Sequence, residues 1–109
     1  TAVCKMQSLG VLKEEILVGI GPAICGECYE IKEDVAQLFE PEYPQAVLRE
    51  GPSIHLDLSS VLLCQLERME IPPENITLSQ LCTYADSERF YSHRRDRAKT
   101  GAMGCFIAL

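Results

Sequence analysis

Apolar residues recur along this chain with two spacings, one typical of amphipathic helices and one typical of short buried strands. The longest helical pattern spans residues 58–69, where apolar side chains follow one another three and four positions apart. Asp57 precedes this pattern and belongs to the residue types that cap a helix N-terminus. Another helix is predicted over residues 2–9, followed by Gly10, a residue favoured in left-handed helix C-caps.

A further helix is predicted over residues 32–39. Its first turn carries two acidic residues, which interact favourably with the helix dipole. Val35, Leu38 and Phe39 are its predicted apolar face. Pro41 follows the pattern, and proline is poorly tolerated inside a helix, so we expect the helix to end before it.

Short apolar or alternating runs predict strands between these helices. Turn-forming residues at positions 49–53, including Gly51 and Pro52, join two of these runs and favour a β-hairpin. The final apolar run is expected to be a buried strand. The predicted strands lie at residues 16–20, 29–31, 46–48, 54–56, 76–82 and 103–109.

Short strands interleaved with helices indicate an α+β or mixed α/β layer structure, and we expect an α+β fold with a mixed sheet and flanking helices. With 109 residues, of which 47% are hydrophobic, the chain is long enough for one domain with one core. No apolar run approaches the length that spans a bilayer, and the first ten residues lack the features of a signal peptide. We therefore expect a cytoplasmic protein with no membrane partner.

The net charge of −6 hides an uneven distribution of charged residues. Residues 1–88 hold 15 of the 16 acids but only 5 of the 10 lysines and arginines, whereas residues 89–99 hold the other five bases and one acid, Asp96. An acidic body disfavours binding to a nucleic-acid backbone, so we expect no nucleic-acid partner. The local cationic segment can still bind a small anion.

Six cysteines could form a disulfide framework, but the lack of an export signal favours reduced thiols. Cys25 and Cys28 form a C-x-x-C pair that could share a metal ion. A structural zinc site needs four ligands, and His55 and His93 each stand alone in the sequence, so we favour loop cysteines packed under a glycine turn and expect no metal ligand in this chain. The remaining cysteines lie in apolar segments and are expected to be small core residues: Cys4, Cys64, Cys82 and Cys105.

The strongest local signal for chemistry is the segment Ser92-His93-Arg94-Arg95-Asp96. Adjacent guanidinium groups can orient a carboxylate or phosphate through paired hydrogen bonds, and Asp96 can hold one arginine in place. A solvated basic loop is the alternative interpretation. Adjacency does not make Ser92 and His93 a catalytic dyad, because a nucleophile and its base must meet in space.

Three stretches of the chain are informative together. They are residues 20–31, which begin Ile-Gly-Pro-Ala-Ile and end Cys-Tyr-Glu-Ile, residues 55–58, His-Leu-Asp-Leu, and residues 90–96, Phe-Tyr-Ser-His-Arg-Arg-Asp, with Thr100-Gly101. In this order and with these gaps they resemble the C-terminal part of the laccase-domain proteins, also called the multicopper polyphenol oxidase or purine nucleoside phosphorylase family of that fold. The resemblance implies an α+β fold grouped with certain cysteine hydrolases, with residues 1–109 as the C-terminal segment of one domain.

The resemblance also implies an activity. Such a protein is expected to be a zinc-dependent purine nucleoside phosphorylase that cleaves adenosine, inosine or methylthioadenosine with phosphate and also deaminates adenosine. The family's zinc ligands, two histidines and a cysteine, are expected in a part of the domain that precedes Thr1, and no residue of this chain matches them. We therefore expect the chain to be inactive alone, with purine nucleoside, phosphate and the preceding part of the domain as its partners.

Residue by residue, the resemblance singles out Arg94, Arg95 and Cys28 as candidates for binding substrate or phosphate. Two departures from the family pattern affect the pocket: Ala102 stands where the family often has arginine, and the two loop cysteines are separated where the family often has an adjacent pair. Three further residues are expected to support the site: Asp96, Ser92 and Gly21.

Two other functions stay open. One is a cysteine hydrolase, since related bacterial proteins resemble proteins tied to the editing of peptidoglycan precursors, where a cysteine could act on an amide. The other is a non-enzymatic module whose basic loop binds an acidic partner. Laccase chemistry ranks lowest, because its copper sites need many histidines and the chain has two.

Overall fold

A computed structural model describes residues 2–107, apart from the side chain of Ala98. Within that range four helices and five strands follow one another, which confirms the α+β class, and no helix there is both long and apolar enough to cross a membrane. The helices are α1 (Ala2–Ser8), α2 (Glu33–Phe39), α3 (Leu58–Arg68) and α4 (His93–Asp96). The strands are β1 (Val18–Ile20), β2 (Glu30–Ile31), β3 (Val47–Glu50), β4 (Ser53–Leu56) and β5 (Ile76–Leu78).

The strands of the described region form two small sheets in place of the single mixed sheet that we expected. β1 and β5 pair in parallel, with Gly19 opposite Thr77. β2, β4 and β3 form an antiparallel sheet with β4 in its centre. Strand propensity identifies extended segments but does not determine their partners, because pairing depends on contacts between segments that are far apart in the sequence.

The hairpin between β3 and β4 forms as predicted. Its strands pair from Val47 opposite Leu56 to Glu50 opposite Ser53. In the turn, Gly51 adopts a left-handed backbone conformation with φ of 58°. Glycine populates this conformation without the steric cost that a Cβ imposes, so Gly51 sets the register of the hairpin.

Asp57 caps α3, as its sequence position predicts. Its Oδ1 accepts a hydrogen bond from the backbone N–H of Ser60 (3.3 Å), and its Oδ2 accepts one from the Ser60 hydroxyl (2.8 Å). The backbone N–H of Asp57 donates to the carbonyl of Ala46 (2.8 Å). These contacts fix the start of α3 against the residue that precedes β3.

The main core lies between the three-stranded sheet and helices α2 and α3. On α2, Ala36 is fully buried while Leu38 is 77% exposed, so the predicted apolar face is wrong at Leu38. Two positions turn a helix by about 200°, which directs Leu38 away from the face that carries Ala36. The small side chain of Ala36 allows α2 to lie close to the sheet. The buried core residues are Ile31, Ala36, Ala46, Val47, Leu56 and Val61.

The last apolar segment is not the buried strand that its sequence predicts. Residues 101–107 have no regular structure, and Phe106 and Ile107 are 96% and 94% exposed. Residues 108 and 109 of the predicted strand lie outside the described residues. A strand needs a neighbour to satisfy its backbone hydrogen bonds, and no strand within residues 2–107 pairs with this segment.

Two of the predicted core cysteines are also placed differently. Cys4 and Cys105 are exposed, whereas Cys64 and Cys82 are partly buried. Apolar neighbours in the sequence bury a side chain only where another element packs over it, and sequence alone does not reveal that element.

The parallel pairing of β1 and β5 continues beyond the two strands and brings two loops together. The N–H of Ser79 donates to the carbonyl of Ile20 (2.8 Å), and the N–H of Thr83 donates to the carbonyl of Ala23 (3.1 Å). Ala23 also pairs with Cys82 in an isolated parallel bridge. Because the carboxyl ends of parallel strands lie at one edge of a sheet, the loop after β1 meets the segment after β5 there.

Candidate functional site

Arg94 and Arg95 are neighbours in α4, but their guanidinium groups have different surroundings. α4 is one helical turn, and the buried Oγ of Ser92 caps it by accepting a hydrogen bond from the backbone N–H of Arg95 (3.3 Å). Successive residues of a helix point about 100° apart. One arginine side chain therefore turns into the chain and the other toward a cleft.

The guanidinium of Arg95 uses all of its donors inside the chain. Its Nε and Nη2 donate to the two carboxylate oxygens of Asp96 (3.0 and 2.8 Å). Its Nη1 donates to the carbonyls of Thr83 and Tyr84 (both 2.9 Å), and Nη2 also donates to the carbonyl of Phe90 (2.9 Å). These bonds account for the five N–H groups of a guanidinium. The hydrogen bonds from Arg95 hold the pKa of Asp96 below its ordinary value.

The guanidinium of Arg94 is exposed and stacks over the ring of Tyr29, with 4.8 Å between its Cζ and the ring centroid. Its Nη1 donates to the carbonyl of Glu30 (3.3 Å), which is the one hydrogen bond of this side chain within the described residues. The other N–H groups remain available to a ligand. An arginine held on an aromatic ring with spare donors is well suited to bind an anion.

Arg94 lines a cleft of about 490 Å³ formed by β2, the first turn of α2 and the loops beside them. The charged side chains of the cleft are two cations, Lys32 and Arg94, and two carboxylates, Glu30 and Asp34. The spare donors of Arg94, beside two aromatic rings, suit a ligand that has an anionic group and a flat ring. The sequence singled out Arg94 and Cys28 but not Lys32 or the tyrosines, because nothing in the spacing of residues places them beside α4. The polar residues that line the cleft are Cys28, Tyr29, Glu30, Lys32, Asp34, Tyr84 and Arg94.

Three other residues considered from the sequence lie away from this cleft or make other contacts: Gly21, His93 and Ser92. Gly21 lines a second, largely apolar cavity of about 800 Å³ formed mainly by α1, β1 and α3. The Nδ1 atom of His93 lies 3.0 Å from the carbonyl oxygen of Arg97. The Oγ of Ser92 is engaged as a helix cap, so Ser92 and His93 do not form a nucleophile and base pair in this geometry.

Three cysteines come together at the edge where the two loops meet. The sulfur atoms of Cys25, Cys28 and Cys82 all lie within 4.8 Å of one another, and each residue is partly buried. The three are free thiols, as expected for reduced cysteines. The N–H of Cys28 donates to the carbonyl of Cys25 (3.0 Å), which closes the turn that carries both. The C-x-x-C spacing predicted a pair, and nothing in the spacing of the cysteines indicated that Cys82 would join it.

Gly26 allows the cysteine loop to lie against the start of α3. A Cβ added to Gly26 would come within 3.1 Å of the Cβ of Asp57. Such a contact is closer than ordinary van der Waals packing, so a larger residue would push the loop away from the helix cap. The glycine in the C-x-x-C loop therefore determines where the two sulfur atoms lie.

The thiols of this cluster differ in acidity. Burial, together with hydrogen bonds to Cys25 and Cys82, raises the pKa of Cys28 to about 12. Burial also opposes ionisation of Cys82, but hydrogen bonds donated to its sulfur by the backbone N–H groups of Cys25 (3.3 Å) and Ala85 (3.5 Å) outweigh it and lower its pKa to about 7. Cys82 thus becomes a thiolate at a lower pH than Cys28.

The residues and elements of this chain match one known family. The family described as multi-copper polyphenol oxidoreductase laccase matches residues 1–109. The chain belongs to this laccase family. Its relatives include a purine nucleoside phosphorylase from Deinococcus radiodurans, 39% identical over 107 residues that cover 96% of this chain and 40% of that protein.

Two solved structures share the fold of this laccase-family chain. YlmD from Geobacillus stearothermophilus superposes with a TM-score of 0.76 at 33% identity, over 88% of this chain and 37% of that structure. YfiH from Bacillus licheniformis superposes with a TM-score of 0.79 at 33% identity, over 88% of this chain and 38% of that structure. The chain thus spans about two-fifths of the length of the relatives it matches.

The laccase family name refers to several copper ions, and the residues of this chain do not fit such a centre. Multicopper oxidation requires many histidine ligands, whereas this chain has two histidines, His55 in β4 and His93 in α4. Within residues 2–107, one group of three or more metal-binding side chains lies within mutual reach, and it consists of Cys25, Cys28 and Cys82. The described residues of this chain therefore do not supply a multicopper centre.

Proposed function

We propose that this chain forms the phosphate-binding wall of a purine nucleoside phosphorylase, as the C-terminal segment of a longer laccase-family domain. The observation that carries the proposal is the exposed guanidinium of Arg94, held over Tyr29 beside a cleft. Relatives of the chain that are named purine nucleoside phosphorylase supply the reaction class. The proposed substrates are adenosine, inosine and methylthioadenosine, with deamination of adenosine as a companion activity.

Phosphorolysis requires a phosphate ion held beside the sugar. A phosphate oxygen forms a bond to C1′ of the ribose while the bond from C1′ to the purine nitrogen breaks, and the purine leaves with the electron pair and takes up a proton. Arg94 can hold two phosphate oxygens through paired N–H donors, which orients the nucleophile. Lys32 lines the same cleft and adds a second positive charge, which with that of Arg94 balances the carboxylates of Glu30 and Asp34.

Arg95 is proposed to position Arg94 and not to bind phosphate. Its N–H groups already have acceptors in Asp96 and in the carbonyls of three other residues. Ser92 caps the same helical turn. These contacts hold α4 in one orientation, so that little conformational freedom is lost when Arg94 takes up its ligand.

Cys28 lines the cleft, and we propose that it contacts the substrate as a neutral thiol. Its pKa of about 12 keeps it protonated at neutral pH, which counts against a nucleophilic role. Cys82 has the lower pKa but does not line the cleft. The cysteine-hydrolase alternative therefore lacks a thiolate in this cleft.

The zinc implied by the family resemblance has no proposed ligand among the residues of this chain. We propose that its two histidines and one cysteine belong to the part of the domain that this chain does not match, since the chain covers about two-fifths of its relatives. The cytoplasmic location and the lack of nucleic-acid and membrane partners stay predictions from the sequence.

The test is a chimera in which this chain replaces the matching segment of the Deinococcus relative. We expect phosphate-dependent release of base from inosine and adenosine by the chimera, and no turnover by the 109-residue chain alone. Arg94→Ala should lower kcat/KM for phosphate by roughly 100- to 1,000-fold, the usual effect of removing one donor to a reacting anion. Lys99→Ala removes an equal charge from the same segment and should change it by less than about threefold.

Several outcomes would contradict the proposal. An equal loss of kcat/KM for phosphate in both variants would mean that the overall positive charge of the segment, and not the Arg94 side chain, is responsible for phosphate use. Turnover by the 109-residue chain with zinc would refute the claim that it is incomplete. Turnover of muramyl-amino-acid precursors, without turnover of nucleosides, would support the hydrolase. Phosphate binding to the isolated chain, followed through the Nε–H signal of Arg94 by NMR, tests the anion site independently of the chimera.

The non-enzymatic alternative predicts a solvated basic loop with no cleft beside it. Arg94 instead lies at a cleft of about 490 Å³ and is held there by Tyr29 and the carbonyl of Glu30. This geometry favours a small ligand over an acidic protein surface, because a pocket of this size encloses a small molecule.

A further inference from the structure

We propose that Cys25, Cys28 and Cys82 form a binding site for one thiophilic metal ion, of the class that includes Zn(II) and Cu(I). The site uses neither Arg94 nor Lys32, the groups proposed to hold phosphate, but it includes Cys28, which is also proposed to contact the substrate. It does not match the two histidines and one cysteine that the family resemblance assigns to zinc. A bound ion would take the Cys28 sulfur as a thiolate, so the proposed contact between the neutral Cys28 thiol and substrate applies to the metal-free chain. Metal binding and phosphorolysis are measured by separate experiments.

The geometry of the three sulfur atoms carries the proposal. All lie within 4.8 Å of one another. A zinc–sulfur bond is about 2.3 Å long, so two sulfurs of a tetrahedral site lie roughly 3.8 Å apart. The cluster reaches that separation if its sulfurs approach by about 1 Å or less, a movement that small side-chain rotations supply.

The backbone already holds the three cysteines in place. Cys25 and Cys28 share one turn, closed by the hydrogen bond between their main chains (3.0 Å). Cys82 comes from the other side of the site, where its pairing with Ala23 fixes its position 57 residues further along the chain than Cys25. Ligands on two rigidly paired segments need little ordering when an ion binds.

The surroundings of Cys82 favour the form of the sulfur that binds metals. The backbone N–H groups of Cys25 and Ala85 both donate to its Sγ (3.3 and 3.5 Å). Such donors stabilise a thiolate and orient its lone pairs, as groups around protein metal ligands commonly do. Cys28 also lines the neighbouring cleft, which gives water access to complete the coordination.

The donor set determines the class of ion. Thiolates select zinc and monovalent copper over magnesium, calcium and manganese, which prefer oxygen ligands. Within residues 2–107, no histidine or carboxylate belongs to the group formed by these three cysteines. The site is therefore expected to discriminate strongly against the oxygen-seeking ions.

The test uses the 109-residue chain, kept reduced under anaerobic conditions. Co(II) is titrated as a spectroscopic probe, and one equivalent should produce thiolate-to-cobalt absorption in the near ultraviolet that Zn(II) abolishes. Cu(I) binding is measured by competition with a chelator. Replacing any one cysteine of the cluster by serine should weaken binding by at least roughly tenfold. Cys105→Ser changes an exposed cysteine outside the cluster and should leave the affinity unchanged.

A second measurement needs no variant and so avoids any loss of folding. Bound Zn(II) or Cu(I) should slow alkylation of Cys25, Cys28 and Cys82 by at least about tenfold and leave Cys105 unprotected, as read by peptide mass spectrometry. Equal protection of Cys105 would overturn the proposal. A reduced chain that binds neither Co(II) nor Cu(I) would also overturn it. The same holds if the only reaction of the three cysteines is to form a disulfide when oxidant is added.

Discussion

Asp57→Ala should lower the free energy of unfolding by more than the loss of one hydrogen bond would, because it removes two. The side chain accepts hydrogen bonds from both the backbone N–H and the hydroxyl of Ser60. The alanine variant leaves the first turn of α3 with an unsatisfied N–H and leaves the Ser60 hydroxyl without its acceptor. The perturbation therefore removes two interactions at the junction between β4 and α3.

The size of the effect follows from these two contacts. Loss of an N-cap side chain lowers the free energy of unfolding by about 1 kcal/mol. Loss of the acceptor of a neutral donor, here the Ser60 hydroxyl, lowers it by a further amount of about 0.5–1.5 kcal/mol. The expected total is about 1.5–2.5 kcal/mol, a large part of the roughly 5–15 kcal/mol that stabilises a typical domain. Asp57→Asn keeps the oxygen acceptor and should cost less than about 0.5 kcal/mol, since asparagine caps as well as aspartate.

Urea unfolding followed by circular dichroism measures these differences. With a slope of about 1–2 kcal/mol per molar urea, Asp57→Ala should lower the midpoint by roughly 1 M or more while the slope stays constant. Ser60→Ala removes only the hydroxyl contact and should fall between the wild-type chain and Asp57→Ala. Equal destabilisation by the alanine and asparagine variants at position 57 would refute the capping argument, because it would show that charge and not hydrogen bonding is responsible.

Three further predictions concern the core, the end of the arginine segment and the cysteine cluster. Leu56→Ala should cost about 2–5 kcal/mol in urea unfolding, because Leu56 is 1% exposed, whereas Leu38→Ala should cost less than about 0.5 kcal/mol. Gly101→Ala would place a Cβ 2.7 Å from the ring of Tyr91, so it should move that ring and shift its NMR signals; unchanged signals would contradict the contact. The pKa of Cys82, lowered to about 7, should make its alkylation rate half-maximal near pH 7. The stability that its ionisation contributes is present above the ordinary cysteine pKa of about 8.5 and is lost as pH falls through about 7; an alkylation midpoint near 8.5 would contradict the assignment.

The helix cap and the hairpin turn were predicted correctly from the sequence, because each is determined by residues that are close together along the chain. Asp57 and the apolar spacing after it define α3, and Gly51 defines the hairpin turn. In each case the residues that interact are a few positions apart, so the chemistry of the cap or turn is visible in the sequence.

Features that depend on distant contacts were not predictable in the same way. The pairing of β1 with β5 brings together segments 58 residues apart, and the bridge between Ala23 and Cys82 that continues it places Cys82 beside the C-x-x-C loop. The apolar run ending at Ile107 has strand propensity but no partner strand within the described residues. Propensity describes what a segment can do, whereas the fold depends on which other segment it meets.

The candidate site shows the same division. The uneven distribution of charged residues along the sequence identified the arginine segment. Within that segment, the family resemblance identified Arg94 and Arg95 as candidate binding residues. The unequal surroundings of these two arginines follow from carbonyl groups at Thr83, Tyr84 and Phe90, which carry no side-chain signature in the sequence. Backbone acceptors of this kind are available at almost any residue, so only the folded structure reveals them.

Because α4 is a single turn, the direction in which each arginine points from the helix axis is as important as its charge. Inserting one uncharged residue between His93 and Arg94 would rotate the two arginines by about 100° relative to the loops they contact. The formal charge would be conserved, yet Arg94 would then move toward the carbonyls that now accept from Arg95. A homologous chain can have the same number of arginines at positions shifted by one residue relative to the helix cap. In such a chain we expect no pair of guanidinium groups in which one is anchored by backbone carbonyls and the other faces the ligand.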